Sequence, residues 1–263
     1  MKKLKVIEYI KEKGLKRFFR TLISYLHGWF KKKTGYMFYK KSFIRHSVYQ
    51  NLQHEINIPE ATSKELELLK FTSEFGIVKD NAWSLIQAVS HIHYNNVEGD
   101  FVECGVYEGR MLIVFNKLQE HFKLNNEIYG YDTFEGMMGQ NEMDTFTGKN
   151  LRPSVNLGLS LKNAGMDQVK QNLQKNHVDI SNINLIKGDV MQTLNSEKNL
   201  PKKISILRLD TDYYESTLKE LEVLYPRLES KGVLIIDDYG FFDGCRKAVD
   251  DFFKDKYVIK HYI

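Results

Sequence analysis

Short apolar runs alternate with helical patterns from about residue 63 onward, and this alternation limits the fold more than any other feature of the sequence. Strands rich in Val, Ile, Leu, Phe and Tyr are predicted at 100–104, 128–131, 183–186, 204–209, 233–236 and 257–263. Helices are predicted at 63–73, 80–94, 111–122, 166–176, from after Asp212 to about 228, and at 245–253, with Pro226 shortening or bending the fifth. We therefore predict an α/β fold, a mostly parallel sheet with helices on both faces.

The 263 residues divide by charge into a basic segment and an acidic body. Residues 1–50 hold 14 Lys and Arg against Glu8 and Glu12, which gives +12, and because the whole chain carries +4, residues 51–263 carry −8. The body lacks the basic face that nucleic acids require, so we exclude a nucleic-acid partner. Two cysteines are too few for a disulfide scaffold or a four-thiolate zinc site, and they favour a cytoplasmic location.

The basic segment carries an amphipathic helical pattern, and we assign residues 1–60 to an N-terminal extension. Its apolar stripe consists of Leu15, Phe18, Phe19, Leu22, Leu26, Trp29 and Phe30. The longest uncharged stretch, 21–30, is too short to span a bilayer, which takes about 20 apolar residues. Two interpretations stay open: the stripe binds the anionic inner surface of a membrane, or it packs on the body of the protein or on a second subunit of a homo-oligomer.

Acidic residues stand where the predicted strands end: Glu103, Asp132, Asp189, Asp210 and the pair Asp237 and Asp238. The carboxyl ends of parallel strands meet at one edge of a sheet, and the ligands of open α/β sheets bind at that edge. We therefore expect these side chains to converge on one crevice within a domain that spans residues 61–263.

The turn at residues 103–110 (ECGVYEGR) places Gly105 and Gly109 where the backbone bends sharply towards a ligand. The middle glycine of the G-x-G-x-x-G dinucleotide pattern is missing, which disfavours a bound pyrophosphate. Asp132 follows the next strand and is placed to accept the ribose hydroxyls of an adenosine group, so S-adenosylmethionine (SAM) is the predicted cofactor. The candidate cofactor-binding residues are Glu103, Gly105, Tyr107, Gly109, Arg110, Asp132, Thr133, Gly188 and Asp189.

Asp210, Asp237 and Asp238 end two predicted strands that are consecutive in the sequence, so three carboxylates are expected to lie together. Such a cluster is costly unless protons or a cation compensate its charge. Ligation by oxygen atoms alone is the preference of Mg²⁺, and we predict a magnesium site there. The alternative is that these acids cap helices and pair with Arg208 or Arg246.

Four stretches of the sequence resemble the macrocin O-methyltransferase (TylF-type) family. They are residues 99–109 (GDFVECGVYEG), 130–136 (GYDTFEG), 207–217 (LRLDTDYYEST), and 237–240 (DDYG) followed by 245–251 (CRKAVDD). The resemblance covers about residues 70–253 and implies the Rossmann-like fold of class I SAM-dependent methyltransferases. It also implies a Mg²⁺-dependent enzyme that methylates sugar hydroxyls, with Asp210, Asp237 and Asp238 on the metal and Glu103, Gly105 and Asp132 in the SAM site.

We therefore expect an O-methyltransferase that acts on a sugar or glycan, with a lipid-linked or surface polysaccharide as the preferred acceptor. Asp210 is the predicted catalytic residue, serving as metal ligand and as the base that takes the hydroxyl proton. Residues 136–175 are expected to cover the substrate with polar side chains, among them Asn141, Asp144, Lys149, Arg152 and Asn163. The alternatives are an NAD-dependent sugar oxidoreductase, which does not explain the acid cluster, and a non-catalytic domain tethered to a membrane through residues 1–50.

Overall fold

The computed structural model describes residues 36–39, 42–45, 58, 61–77, 79–137, 143–145 and 165–255. Three predicted features lie outside the described residues: the amphipathic helix of the N-terminal extension, most of the cover at 136–175, and the strand at 257–263. The chain forms two compact units, Met1–Leu66 and Glu67–Ile263. In the first unit, β1 (Tyr36–Tyr39) and β2 (Ser42–Arg45) pair antiparallel, a hairpin for which the sequence offered no clear periodicity.

Five parallel strands form the sheet of the second unit, in the order β5-β4-β3-β6-β7. They are β3 (Asp100–Cys104), β4 (Ile128–Asp132), β5 (Ile183–Lys187), β6 (Ile204–Leu209) and β7 (Leu228–Ile236). The chain builds outward from β3, first to one side and then to the other, so right-handed crossovers put the helices of the two halves on opposite faces. The predicted α/β fold is confirmed, and its topological switch point lies between β3 and β6.

Seven α-helices are described in this part of the chain. They are α1 (Ser63–Glu74), α2 (Lys79–Tyr94), α3 (Arg110–Phe122), α4 (Met166–Lys175), α5 (Val190–Thr193), α6 (Tyr214–Leu224) and α7 (Asp243–Phe252). Pro226 shortens the fifth predicted helix, since α6 ends at Leu224 and a 3₁₀ turn, Tyr225–Arg227, follows. The single turn of α5 was not predicted. Among the described helices, none has the length and apolar character needed to cross a membrane.

The strand β7 begins at Leu228, five residues before its predicted start. In the hydrogen-bonded ladder between β6 and β7, Leu228 pairs with Ile204 and Val233 pairs with Ile206. The four residues 229–232 therefore lie opposite a single residue of β6 and form a bulge. The bulge carries Lys231 in a left-handed conformation with a φ of 68°. Its sequence, ESKG, has no alternation of apolar residues, and the pattern therefore predicted the end of a helix at this point.

Candidate active site

A cavity of about 270 Å³ opens at the carboxyl ends of β3, β4 and β6, beside the switch point of the sheet. The predicted site residues that line it are Gly105, Tyr107, Asp132, Thr133, Gly188, Asp189 and Asp210. The lining also includes six residues that were not predicted as site residues, Tyr131, Val190, Thr211, Asp212, Tyr213 and Ser216, and two from the start of the predicted cover, Gly136 and Met137. Four of these belong to the motif at 207–217, and their position directly after a buried strand was a usable signal.

Gly105 brings the turn after β3 against the loop after β6. Its φ is +89°, in the left-handed region, and a Cβ atom at this position would overlap the carbonyl oxygen of Asp210. Any side chain at position 105 would force the two strand ends apart. The glycine therefore keeps the turn and the acid-bearing loop in direct contact at the wall of the cavity.

Asp132, at the end of β4, uses its carboxylate to hold the backbone of two turns. Its Oδ2 accepts the N–H groups of Val106 (2.8 Å) and Tyr107 (2.9 Å), and its Oδ1 accepts the N–H of Phe134 (2.6 Å). Tyr107 and Phe134 have φ values of 50° and 54°. This left-handed conformation costs an ordinary residue about 1–2 kcal/mol. The side chain predicted to contact a ribose thus also stabilises the strained turns around the cavity.

Three predicted cofactor residues lie outside the cavity lining. Glu103 is buried in the sheet, where its Oε1 accepts a hydrogen bond from Arg208 (2.8 Å). Gly109 is the N-cap of α3. The guanidinium of Arg110 pairs with Glu108 at 2.6 Å on the protein surface. For these three, a cofactor contact stays a prediction from the sequence.

Asp210, Asp237 and Asp238, here called the aspartate trio, meet at the strand ends, and one carboxylate oxygen from each lies within 4.8 Å of the others. Backbone hydrogen bonds between neighbouring strands place two of these aspartates at the same position along the strands. The N–H of Asp210 donates to the carbonyl of Cys104 (2.9 Å), and the N–H of Asp237 donates to the carbonyl of Leu209 (3.0 Å). Neighbouring parallel strands therefore place the acids side by side.

Arg208 lies buried between the same strand ends and neutralises part of this charge. Its Nη1 donates to Oε1 of Glu103 (2.8 Å) and Oδ2 of Asp210 (2.7 Å), and its Nη2 donates to Oδ1 of Asp237 (2.8 Å). The pairing with Arg208 that stood as the alternative to a metal site therefore exists for two members of the aspartate trio. Arg246, the other alternative partner, donates its Nε to the carbonyl of Tyr239 (3.1 Å).

One guanidinium does not compensate all of the acids at these strand ends. Burial raises the pKa of Asp238 to about 9 and that of Asp212 to about 6, and the charges of neighbouring carboxylates add to both shifts. Within the described part of the chain, Oδ2 of Asp238 is buried without a hydrogen-bond partner. Crowded carboxyl groups whose ionisation one guanidinium does not compensate, an unsatisfied buried oxygen and an all-oxygen set of donors fit a hard divalent cation such as Mg²⁺.

A buried carboxyl group on α6 supports the loop after β6. Glu220 is fully buried, and the hydroxyl of Thr211 donates to its two carboxyl oxygens at 3.1 Å each. Burial raises the pKa of Glu220 well above its usual value. The loop that carries Asp210 and Asp212 is therefore fixed from the core as well as from the sheet.

The strand order, the glycine turn beside an acid at the next strand end, and the cavity between them define the Rossmann-like fold of class I SAM-dependent methyltransferases. The solved structure of the O-methyltransferase NovP has a similar fold, with a TM-score of 0.56 and 27% identity over 65% of this chain and 69% of that one. The profile of the family described as macrocin O-methyltransferase (TylF) matches residues 77–262. The chain belongs to this family, which confirms the resemblance of its four motifs.

Two characterised relatives are similar to the chain over part of their lengths. The 8-demethyl-8-(2,3-dimethoxy-alpha-L-rhamnosyl)-tetracenomycin-C 4'-O-methyltransferase of Streptomyces olivaceus is 31% identical over 170 residues, which cover 64% of this chain and 63% of the relative. The demethyldecarbamoylnovobiocin O-methyltransferase of Streptomyces niveus is 29% identical over 167 residues, 63% of this chain and 62% of the relative. The chain therefore spans less than two thirds of either relative.

Proposed function

We propose that this chain is a SAM-dependent O-methyltransferase that methylates a hydroxyl group of a sugar or glycan. The observation that carries the proposal is a single cavity lined by the glycine turn and Asp132 and also by Asp210 and Asp212. Methyl transfer from a sulfonium is an in-line displacement, so donor and acceptor must be held in adjoining sites. Membership in the TylF family supports the reaction, and the rhamnosyl group in the name of the Streptomyces olivaceus relative supports a sugar acceptor.

The cofactor would lie against the turns that follow β3, β4 and β5, whose lining residues are Gly105, Tyr107, Asp132, Thr133, Gly188 and Asp189. The wall offers both kinds of contact that an adenosyl amino acid needs. Asp189 and Thr133 supply a carboxylate and a hydroxyl, and Val190 and Met137 supply apolar surface. The turns held by Asp132 shape this wall before any ligand binds, which lowers the ordering cost of binding.

The aspartate trio would hold Mg²⁺, which when bound lowers the pKa of a coordinated hydroxyl and favours its attack on the methyl group. Asp210 was the predicted base, but its Oδ2 is bonded to Arg208 at 2.7 Å. Burial raises the pKa of Asp210 to about 7 even beside Arg208, but a cation bound at the same carboxylate would favour its ionised form and weaken it as a base. Asp212 lines the cavity outside the trio, so we assign it the role of accepting the hydroxyl proton on a carboxylate oxygen.

Calorimetric titration with SAM and with NAD, followed by transfer of labelled methyl groups to a panel of glycosides, tests the proposed function. We expect SAM to bind, NAD not to bind, and label to enter a glycoside only when Mg²⁺ is present. Transfer to a catechol but to no glycoside would contradict the sugar acceptor and leave the methyl transfer intact. Binding of NAD in place of SAM would reject the methyltransferase and favour the oxidoreductase.

We also propose that the protein is cytoplasmic and that residues 1–50 attach it to an anionic membrane surface, where lipid-linked glycans would serve as acceptors. The support is their charge of +12 beside Phe18, Phe19, Trp29 and Phe30. Each basic residue near such a surface contributes about 1 kcal/mol. In flotation with anionic vesicles, the full chain should rise with the lipid at low salt and a deletion of residues 1–33 should not. Equal partitioning of the two proteins would contradict the attachment.

A further inference from the structure

Residues 143–145, here called the clasp, dock against the first residues of both α6 and α7. Asp144 is only 4% exposed, and its Oδ1 accepts the N–H of Tyr214, the first residue of α6, at 2.8 Å. The carbonyl of Thr145 accepts the N–H of Asp243, the first residue of α7, at 2.8 Å. The hydroxyl of Thr145 also donates to Oδ2 of Asp243 at 2.7 Å. Two consecutive residues of the clasp, Asp144 and Thr145, thus bond to two helices.

Both helices lack a cap from their own flanking residue. Tyr213 precedes α6 and Phe242 precedes α7, and neither side chain makes a capping hydrogen bond. The first N–H groups of a helix have no partner within the helix and need an acceptor from elsewhere. The carboxylate of Asp144, 70 positions away in the sequence, and the carbonyl of Thr145, 98 positions away, provide those acceptors. A carboxylate at a helix N-terminus also interacts favourably with the helix dipole.

Gly244 shows independently that the contact is closely fitted. A Cβ atom at position 244 would overlap Oδ1 of Asp144 and would lie 3.0 Å from the backbone nitrogen of Tyr214. The second residue of α7 must therefore be glycine for the carboxylate of Asp144 to reach α6. Asp144 was predicted to face a glycan, but the structure places it inside the protein.

Each of the two helices follows a loop that carries part of the aspartate trio. Asp210 precedes α6 by four residues, and Asp237 and Asp238 precede α7 by six and five. We propose that the clasp is a positioning element that fixes the spacing of these two loops and so sets the affinity of the trio for its cation. This inference rests on the proposed function, because it takes the trio to be a metal site.

The test measures Mn²⁺ binding and SAM binding by calorimetry on the full chain and on four variants. Asp144→Ala and Gly244→Ala should each weaken Mn²⁺ binding by about two- to thirtyfold, which is the range of a lost helix cap, with SAM affinity unchanged. Asp144→Asn keeps an acceptor oxygen of the same reach and should restore Mn²⁺ affinity to within about threefold of the wild type. Asp179→Ala is the matched control, because Asp179 accepts the N–H of Ser181 (2.9 Å) before β5, away from the trio.

Amide hydrogen exchange over residues 210–217 and 238–246 gives a readout that does not depend on the metal. Faster exchange in both segments of Asp144→Ala, with Asp179→Ala like the wild type, supports the clasp. Unchanged exchange and unchanged Mn²⁺ affinity in Asp144→Ala and Gly244→Ala would overturn it. If the wild type itself bound no Mn²⁺, the metal site of the proposed function would fail. Faster exchange would then still show that the clasp positions the loops.

Discussion

The variant Asp238→Asn is expected to lose at least about a hundredfold in metal-supported methyl transfer, with little loss of SAM affinity. Asp238 brings a buried oxygen that has no hydrogen-bond partner among the described residues. The amide is nearly isosteric, so the backbone of the loop stays in place while one negative charge disappears from the trio. Calorimetry with Mn²⁺ and the rate of methyl transfer at saturating SAM provide the measurements. EDTA should abolish the wild-type rate.

Asp212→Asn is the matched control for this change. Asp212 lies two residues after Asp210 and lines the same cavity; it is not a member of the aspartate trio, although its carboxyl group shares a hydrogen bond with that of Asp238, which an amide can keep. Its loss should lower kcat and leave Mn²⁺ affinity within a few-fold of the wild type, because it is assigned the proton and not the cation. The opposite division of effects, with Mn²⁺ binding lost at Asp212 and retained at Asp238, would overturn both assignments.

Stability against pH gives Asp238→Asn a second signature in metal-free protein. Burial raises the pKa of Asp238 to about 9, above its usual 3.8, so the folded protein holds this proton more tightly than the unfolded chain. Stability linked to this group is complete below about pH 4 and is lost as pH rises through the folded pKa. The contribution of Asp238 should therefore make the Tm of the metal-free wild type fall between about pH 4 and 9, and that of Asp238→Asn should fall less. Mg²⁺ should reduce the wild-type loss.

The fold was predictable because the buried strands are short, apolar and punctuated by acids. The observed bounds of β3 and β6 match the predicted ones. Each strand was easy to delimit because its apolar residues end where the residues that face the cavity begin. The start of β7 was missed because a bulge hides the alternation on which strand prediction depends. The hairpin of β1 and β2 was missed because its aromatic and basic residues show no periodicity that separates a strand from a loop.

The sequence predicted which strand ends form the site, but it predicted few of the contacts that the site residues make. Parallel pairing alone brings Asp210 beside Asp237, so their convergence follows from the order of strands. Two of the three backbone N–H partners of Asp132 are about 25 residues away, and Asp144 binds a helix 70 residues away, so no local pattern encodes these contacts. Arg208 was visible as a candidate partner, but its simultaneous bonds to three strand ends depend on the register of β6.

Because Asp132 holds the backbone of two turns, Asp132→Ala is expected to lose both SAM affinity and stability. The change removes three hydrogen bonds from a carboxylate, to the N–H groups of Val106, Tyr107 and Phe134. One hydrogen bond from this carboxylate to a ribose hydroxyl contributes about 1.5–3 kcal/mol, so SAM affinity should fall by about ten- to a hundredfold. Each bond lost from the turns removes a similar free energy of unfolding, and one of them alone corresponds, in a chain of this size, to a decrease in Tm of about 3–12 °C. Calorimetry with SAM and thermal unfolding measure the two effects.

The variant Asp189→Ala tests whether removing another acid from the cavity wall has the same effect as removing Asp132. Asp189 also follows a strand and lines the cavity, but among the described residues its carboxylate bonds to a single backbone N–H, that of Met191 at 2.9 Å. Its removal should lower Tm by only a few degrees, as the loss of one helix cap does. A loss of SAM affinity in Asp132→Ala with an unchanged Tm would assign Asp132 to the ribose alone. Unchanged SAM affinity in a folded Asp132→Ala would remove it from the cofactor site, because neither its carboxylate nor the turns it holds would then contribute to binding.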